Sequence, residues 1–275
     1  MFAALLAISF GAGAIFGADV RDLGVPAGLR ASDYDKQGYN LLNKGQYESA
    51  IRYFDAAIRT DPNSWSAYFN RAAAFCQQKK WPAALQDLNS VIRLRPAFFT
   101  ASFLRAAVNV HLGNYQASLA DLDNLSRLGI SVRNQYTEAQ ALNGSAWLRA
   151  TCINPSVRNA QRAIRDAAKA CKLTEWKISG SIDTLAAAYA EAGDFDSAAR
   201  YEQQAITTAE KEPAETSKVA SELFGKRGVG ELVNQIAKDL ALAKQDYLKR
   251  LDLYKQRRPY REAAPQREVL GRGYG

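Results

Sequence analysis

Apolar positions along this chain recur at helical spacing, and the same pattern returns five times. Small residues stand at Ala50, Ala84, Ser118, Ala163 and Ala198, at intervals of 34, 34, 45 and 35. Four residues after each come Phe54, Leu88, Leu122, Ala167 and, as the polar exception, Glu202. Seven after each come Ala57, Val91, Leu125, Ala170 and Ala205. Offsets of four and seven place all three positions on one face of an α-helix. The stretches NKGQYESAIRYFDAAI (43–58) and AEAGDFDSAARYEQQAI (190–206) are two copies of this pattern.

A second periodic segment lies upstream of each small residue. It reads Tyr34, Gln37, Gly38, Leu41 in the first unit and Tyr68, Arg71, Ala72, Phe75 in the second. The fourth opens with Trp147, and the fifth reads Ile182, Leu185, Ala186, Tyr189. Each unit is therefore predicted to be two helices. Gly45, Gly113 and Gly193 stand between them, where a left-handed residue ends a helix cheaply. The second unit has Lys79 at that position, at a cost of about 1 kcal/mol. Pro62 and Pro96 follow second helices, which must stop there.

This pattern resembles the tetratricopeptide repeat (TPR), a helical pair of about 34 residues with W-x2-L-G-x2-Y, A-x3-F and P positions. The resemblance covers roughly residues 31–210, with Asn109 and Ser118 departing from the expected Tyr and Ala in the third unit. It implies an all-α solenoid: five hairpins in a right-handed superhelix, closed by C-terminal helices. Small residues let helices approach to about 8–10 Å, and large ones fill the space between hairpins. Residues 142–199, with AWLRATCINPSVR and DTLAAAYAEAGDF, are further similar to a bacterial TPR subgroup. LDLYKQRRPYRE (251–262) resembles the tail that closes such arrays. That subgroup points to a bacterial source.

The expected organisation follows: TPR units one to three at 31–132, units four and five at 133–210, and capping helices with a basic tail at 211–275. The 11 extra residues before unit four fall around 130–142. They predict an elongated first helix, interrupted only at Gly144, and a short loop at 129–134. Residues 215–244, broken by FGKRGVG, read as two helices that pack on the last repeat. Residues 1–18 carry no charge, and Ala12-Gly13-Ala14 has the shape of a cleavage site. A signal peptide without its basic region, a retained membrane anchor and a mischosen start codon each account for this segment. The expected location is periplasmic or secreted, or anchored at a membrane by the N-terminus.

Composition narrows the function by exclusion. The chain is 47% hydrophobic and 23% charged, which is enough apolar content for a sizeable core. Of the net charge of +8, residues 211–275 supply +5, from 14 Lys/Arg against 9 Asp/Glu. Acids interleave with these bases, so a solvated surface is expected and nucleic acid is not. Cys76, Cys152 and Cys171 make an odd number. Cys152 and Cys171 lie well over 10 Å apart along a hairpin, beyond disulfide reach, and read as buried small residues. His111 is the one histidine and has no partner at metal-ligand spacing. The Asp121-x-Asp123 pair reads as solvated. No P-loop, dinucleotide fingerprint or nucleophile motif is present. No catalytic residue, metal, cofactor or small-molecule substrate is expected.

The resemblance turns attention to the first helices, which line the concave surface of a TPR array. The positions matching ligand-facing ones are Tyr39, Phe69, Asn70, Ala73, Phe103, Ala107 and His111. They form an apolar, aromatic strip suited to an amphipathic helix or extended peptide. Phe69 and Phe103 serve equally well as packing between hairpins. The chaperone-tail clamp of other TPR domains maps to Asp35, Tyr39, Asn70, Thr100 and Leu104, of which only Asn70 agrees. The chain is thus expected to be a non-catalytic scaffold for a protein or peptide. The alternatives are a structural subunit of a larger assembly and, less favoured, nucleic-acid binding through the basic tail. A membrane enters only if residues 1–18 are retained.

Overall fold

The computed structural model describes residues 24–224 and 229–262, and among them the chain is all-helical, with no strand. The candidate signal segment 1–18 lies outside the described residues. The helices are α1 (Ala31–Asn43), α2 (Tyr47–Thr60), α3 (Trp65–Gln77), α4 (Trp81–Leu94), α5 (Phe99–His111) and α6 (Tyr115–Ser131). They continue with α7 (Gln135–Thr151), α8 (Ala160–Leu173), α9 (Ser179–Glu191), α10 (Phe195–Phe224) and α11 (Val229–Lys255). Consecutive helices pack as pairs: α1 on α2, α3 on α4, α7 on α8, α9 on α10. The described chain falls into two compact units, residues 24–121 and 122–262.

The turns between paired helices repeat one solution. Gly45, Gly113 and Gly193 have φ of 73°, 75° and 83°, and Lys79 takes the same left-handed place at 56°. Each turn then closes with a long backbone bond back into the helix. Gln46 N–H donates to Leu41 O, Lys80 to Phe75 O, Asn114 to Asn109 O and Asp194 to Tyr189 O, at 2.8–3.0 Å. These bonds satisfy carbonyls that a helix end leaves open. Side chains start several of the helices: Ser64, Asn134 and Asn159 each accept from a backbone N–H three residues on.

In residues 24–121 the core follows the predicted face. Ala50, Phe54, Ala57, Ala84, Leu88 and Val91 are buried. Gly38 permits the closest crossing: a Cβ there would lie 2.5 Å from the Phe54 ring. Buried charge was not foreseen. Arg71 reaches Asp55 at 2.5 Å and Asp87 at 2.7 Å, on α2 and α4. Arg105 repeats this one unit later, with Asn89 at 2.9 Å and Asp121 at 2.5 Å. Asp121 is therefore buried and paired, which corrects the solvated reading.

In residues 122–262 the same device recurs on the next unit, where Arg149 reaches Asp123 at 3.1 Å and Asp166 at 3.4 Å. Asp123 is paired as well. The 11 extra residues are spread over three places. Compared with α4, α6 is three residues longer, and α7 is four longer than α5. The link between α7 and α8 holds five more than the links within the other pairs and includes a 3-10 turn at Pro155–Val157, while the link after α6 is one shorter than those after α2 and α4. The elongated first helix is present, but Gly129 is helical and the loop begins only after Ser131. The helix also runs through Gly144, where a Cβ would crowd Leu122 at 3.2 Å.

The end of the array differs from the expected pair of extra helices. α10 continues the second helix of unit five without interruption to Phe224, and α11 returns along it. The glycine break falls at 225–228, outside the described residues. Tyr247, Leu251 and Tyr254 of α11 bury their side chains against α9 and α10. Ala186 is fully buried beside Ala190, Ala198 and Tyr254. Ala186→Leu should overpack this crossing and lower stability by about 1–3 kcal/mol, read from thermal or denaturant unfolding. An unchanged transition would mean that the crossing has room to spare.

Candidate functional site

The first-helix strip in residues 24–121 separates into packing and exposed positions. Phe69 on α3 is only 7% exposed and lies in a core cluster with Ala72, Leu88 and Val108. The Phe98 ring, at the start of α5, meets it edge-on at 5.0 Å. Ala73 is buried against Leu42, Phe54 and Ala74. Phe103 and Ala107, on α5, are half-buried, as is Tyr39 on α1. Asn70 donates its amide to Asp35 at 2.8 Å, one hairpin back. Burial raises the Asp35 carboxyl above its ordinary range, and the Asn70 bond works against that shift. The His111 ring lies flat on Trp81 of α4, with centroids 4.0 Å apart, so this exposed residue faces the second helix of the preceding unit.

A second constellation, in residues 122–262, was not read from the sequence. Arg250 of α11 donates to Asp183 of α9 at 2.7 Å and stands 3.5 Å from Glu202 of α10. All three are buried, Glu202 completely. The Arg250 guanidinium also lies 5.2–5.3 Å from the rings of Trp147, Tyr247 and Tyr260. Burial raises the carboxyls of both Asp183 and Glu202, and for Glu202 the Asp183 charge adds to the effect. The one available signal was Glu202, the acidic residue at a position that is apolar in every other unit.

Beyond Lys255 the chain turns at Arg257, whose φ is 55°, and residues 258–262 leave the helix. They cross back to α7 and α9. The Glu262 N–H donates to Thr151 O at 2.9 Å, and the Trp147 indole N–H donates to the Glu262 carboxylate. Arg261 pairs with Glu191 at 2.5 Å. Tyr260 packs beside Trp147, centroids 5.8 Å apart.

Burial pushes the Cys76 and Cys171 thiols up to about 12, so neither forms a thiolate nucleophile near neutrality. Among the described residues no group of His, Cys, Asp and Glu could hold a metal ion. No described helix is long and apolar enough to cross a membrane.

Comparison with known proteins agrees with this architecture. Residues 36–97 and 77–127 match the tetratricopeptide-repeat family. No curated protein is similar in sequence. Solved structures that are similar include a tetratricopeptide-repeat protein from Parabacteroides merdae, 18% identical with a TM-score of 0.55, over 82% of this chain and 96% of that one. MamA from Desulfovibrio magneticus RS-1 is 20% identical with a TM-score of 0.52, over 66% and 96%. YrrB, described as a TPR protein with an unusual peptide-binding site, is 15% identical with a TM-score of 0.51, over 64% and 84%. Residues 36–127 thus match the tetratricopeptide repeat, and the described helices share the fold of solved TPR proteins.

Proposed function

We propose that this chain is a non-catalytic scaffold that binds a protein or peptide along the first helices of residues 24–121. The observation that supports it is the strip of incompletely buried side chains on successive first helices: Tyr39 on α1, Asn70 on α3, Phe103 and Ala107 on α5. An aromatic and apolar strip with a few hydrogen-bonding groups suits an amphipathic helix or an extended apolar peptide. The peptide-binding site named for YrrB lends support by analogy of fold alone.

Phe103→Ala tests this reading. The variant should fold, and its capture of partners from the native source should fall at least tenfold, as for a hot-spot aromatic. A folded variant with unchanged capture would move the binding surface elsewhere. A second reading, a subunit of a permanent assembly, draws on the exposed Leu128, Ile130, Val132 and Tyr136 around the α6–α7 turn. Concentration-dependent self-association or co-purifying subunits would favour it, and a monodisperse chain would favour the scaffold.

A further inference from the structure

We infer that residues 260–262, Tyr-Arg-Glu, are a ligand carried in cis, and that the face of α7 and α9 beneath them is a binding site for an extended peptide of aromatic–arginine–acid sequence. α7 and α9 are the first helices of neighbouring hairpins and pack side by side. Each side chain of the segment has its own receptor. Tyr260 meets the Trp147 ring and the Arg250 guanidinium. Arg261 pairs with Glu191, which Arg158 holds from its other side at 2.9 Å. Glu262 accepts from the Trp147 indole.

The backbone is received as well. The last carbonyls of an α-helix lack partners within the helix. Here Thr151 O takes the Glu262 N–H, and Ala150 O takes the Arg261 side-chain guanidinium at 3.4 Å. All these groups would serve a peptide arriving in trans equally well. The segment itself is half-exposed and outside any helix. α11 has anchors of its own in Tyr247 and Leu251, and in Tyr254, whose cluster Tyr260 also joins. Release of residues 260–262 therefore leaves the last repeat covered. As a tethered ligand the segment competes at an effective concentration of about millimolar, so a free partner must displace it. None of the residues of the strip in 24–121 enters this site, and the inference stands apart from the function proposed for them.

Two measurements test it. In the unmodified chain, hydrogen exchange over residues 257–262 should be at least tenfold faster than in the second half of α11. Equal exchange would make the segment part of the fold and overturn the inference. In the full chain, Tyr260→Ala, Arg261→Ala and Glu262→Ala together should empty the site. The folded triple variant should bind the synthetic peptide RRPYRE at least tenfold more tightly than the native chain does. Glu191→Gln added to it should weaken that binding, and the peptide RRPAAA should not bind. A triple variant that loses its helical circular dichroism, or a folded one that binds RRPYRE no better than the native chain, overturns the proposal.

Discussion

Replacing Arg250 by alanine is expected to cost about 3–5 kcal/mol of stability at neutral pH, the range for removing one partner of a buried ion pair. Arg250 is the cation facing both Asp183 and Glu202, which together span α9 and α10. Without it, two buried carboxyls would sit close together with no compensating charge, and three aromatic rings would lose the cation they surround. The loss should depend on pH. A carboxyl whose pKa is raised by folding binds protons more tightly in the folded state. The stability it contributes is full below the unfolded carboxylate pKa and is lost as pH rises through the folded value. Both Asp183 and Glu202 are raised in this way. Arg250→Ala should therefore be least damaging in mild acid and increasingly damaging toward neutrality. Glu202→Gln, which keeps the shape and removes one charge, should flatten that dependence. Denaturant unfolding of the three chains from pH 5 to 8 checks this. A pH-independent loss in Arg250→Ala would mean that the carboxyls find another cation.

Phe69→Ala is expected to cost about 3–5 kcal/mol, as for a fully packed aromatic. The ring fills the space between α3 and the next hairpin, against Leu88 and Phe98. Phe103→Ala removes a half-buried ring and should cost distinctly less. Chemical unfolding of the two variants measures the difference. Equal losses would make Phe103 a packing residue and remove the main support for partner binding on α5. The two residues lie 34 positions apart, so the repeat alone gives them the same role. Their surroundings differ because Phe98 reaches back over one of them.

Much of the fold was legible along the chain because its causes are local. A helix needs only the 3.6-residue spacing of its apolar face, and a hairpin turn needs one residue that tolerates positive φ. Gly45, Gly113 and Gly193 announced that turn, and Lys79 occupies it with the same positive φ. The small residues at Ala50, Ala84, Ala163 and Ala198 marked crossings for the same reason, since a helix surface carries its own packing shape.

What required the tertiary structure was the choice of partner for polar groups. Asp121 and Asp123 looked solvated because sequence spacing cannot say which arginine a hairpin brings near. Arg105 and Arg149 reach them from 16 and 26 residues away. The charge at Glu202 was visible, but its purpose depended on Arg250, delivered by a helix that begins beyond the glycine break. Trp147 read as the opening of a repeat, and only the return of the chain placed Glu262, 115 residues later, on its indole. Periodicity determined where this protein is helical and which faces pack. Long-range folding decided which charges are buried together and what covers the first helices of the last repeats, because those contacts join segments that no local spacing relates.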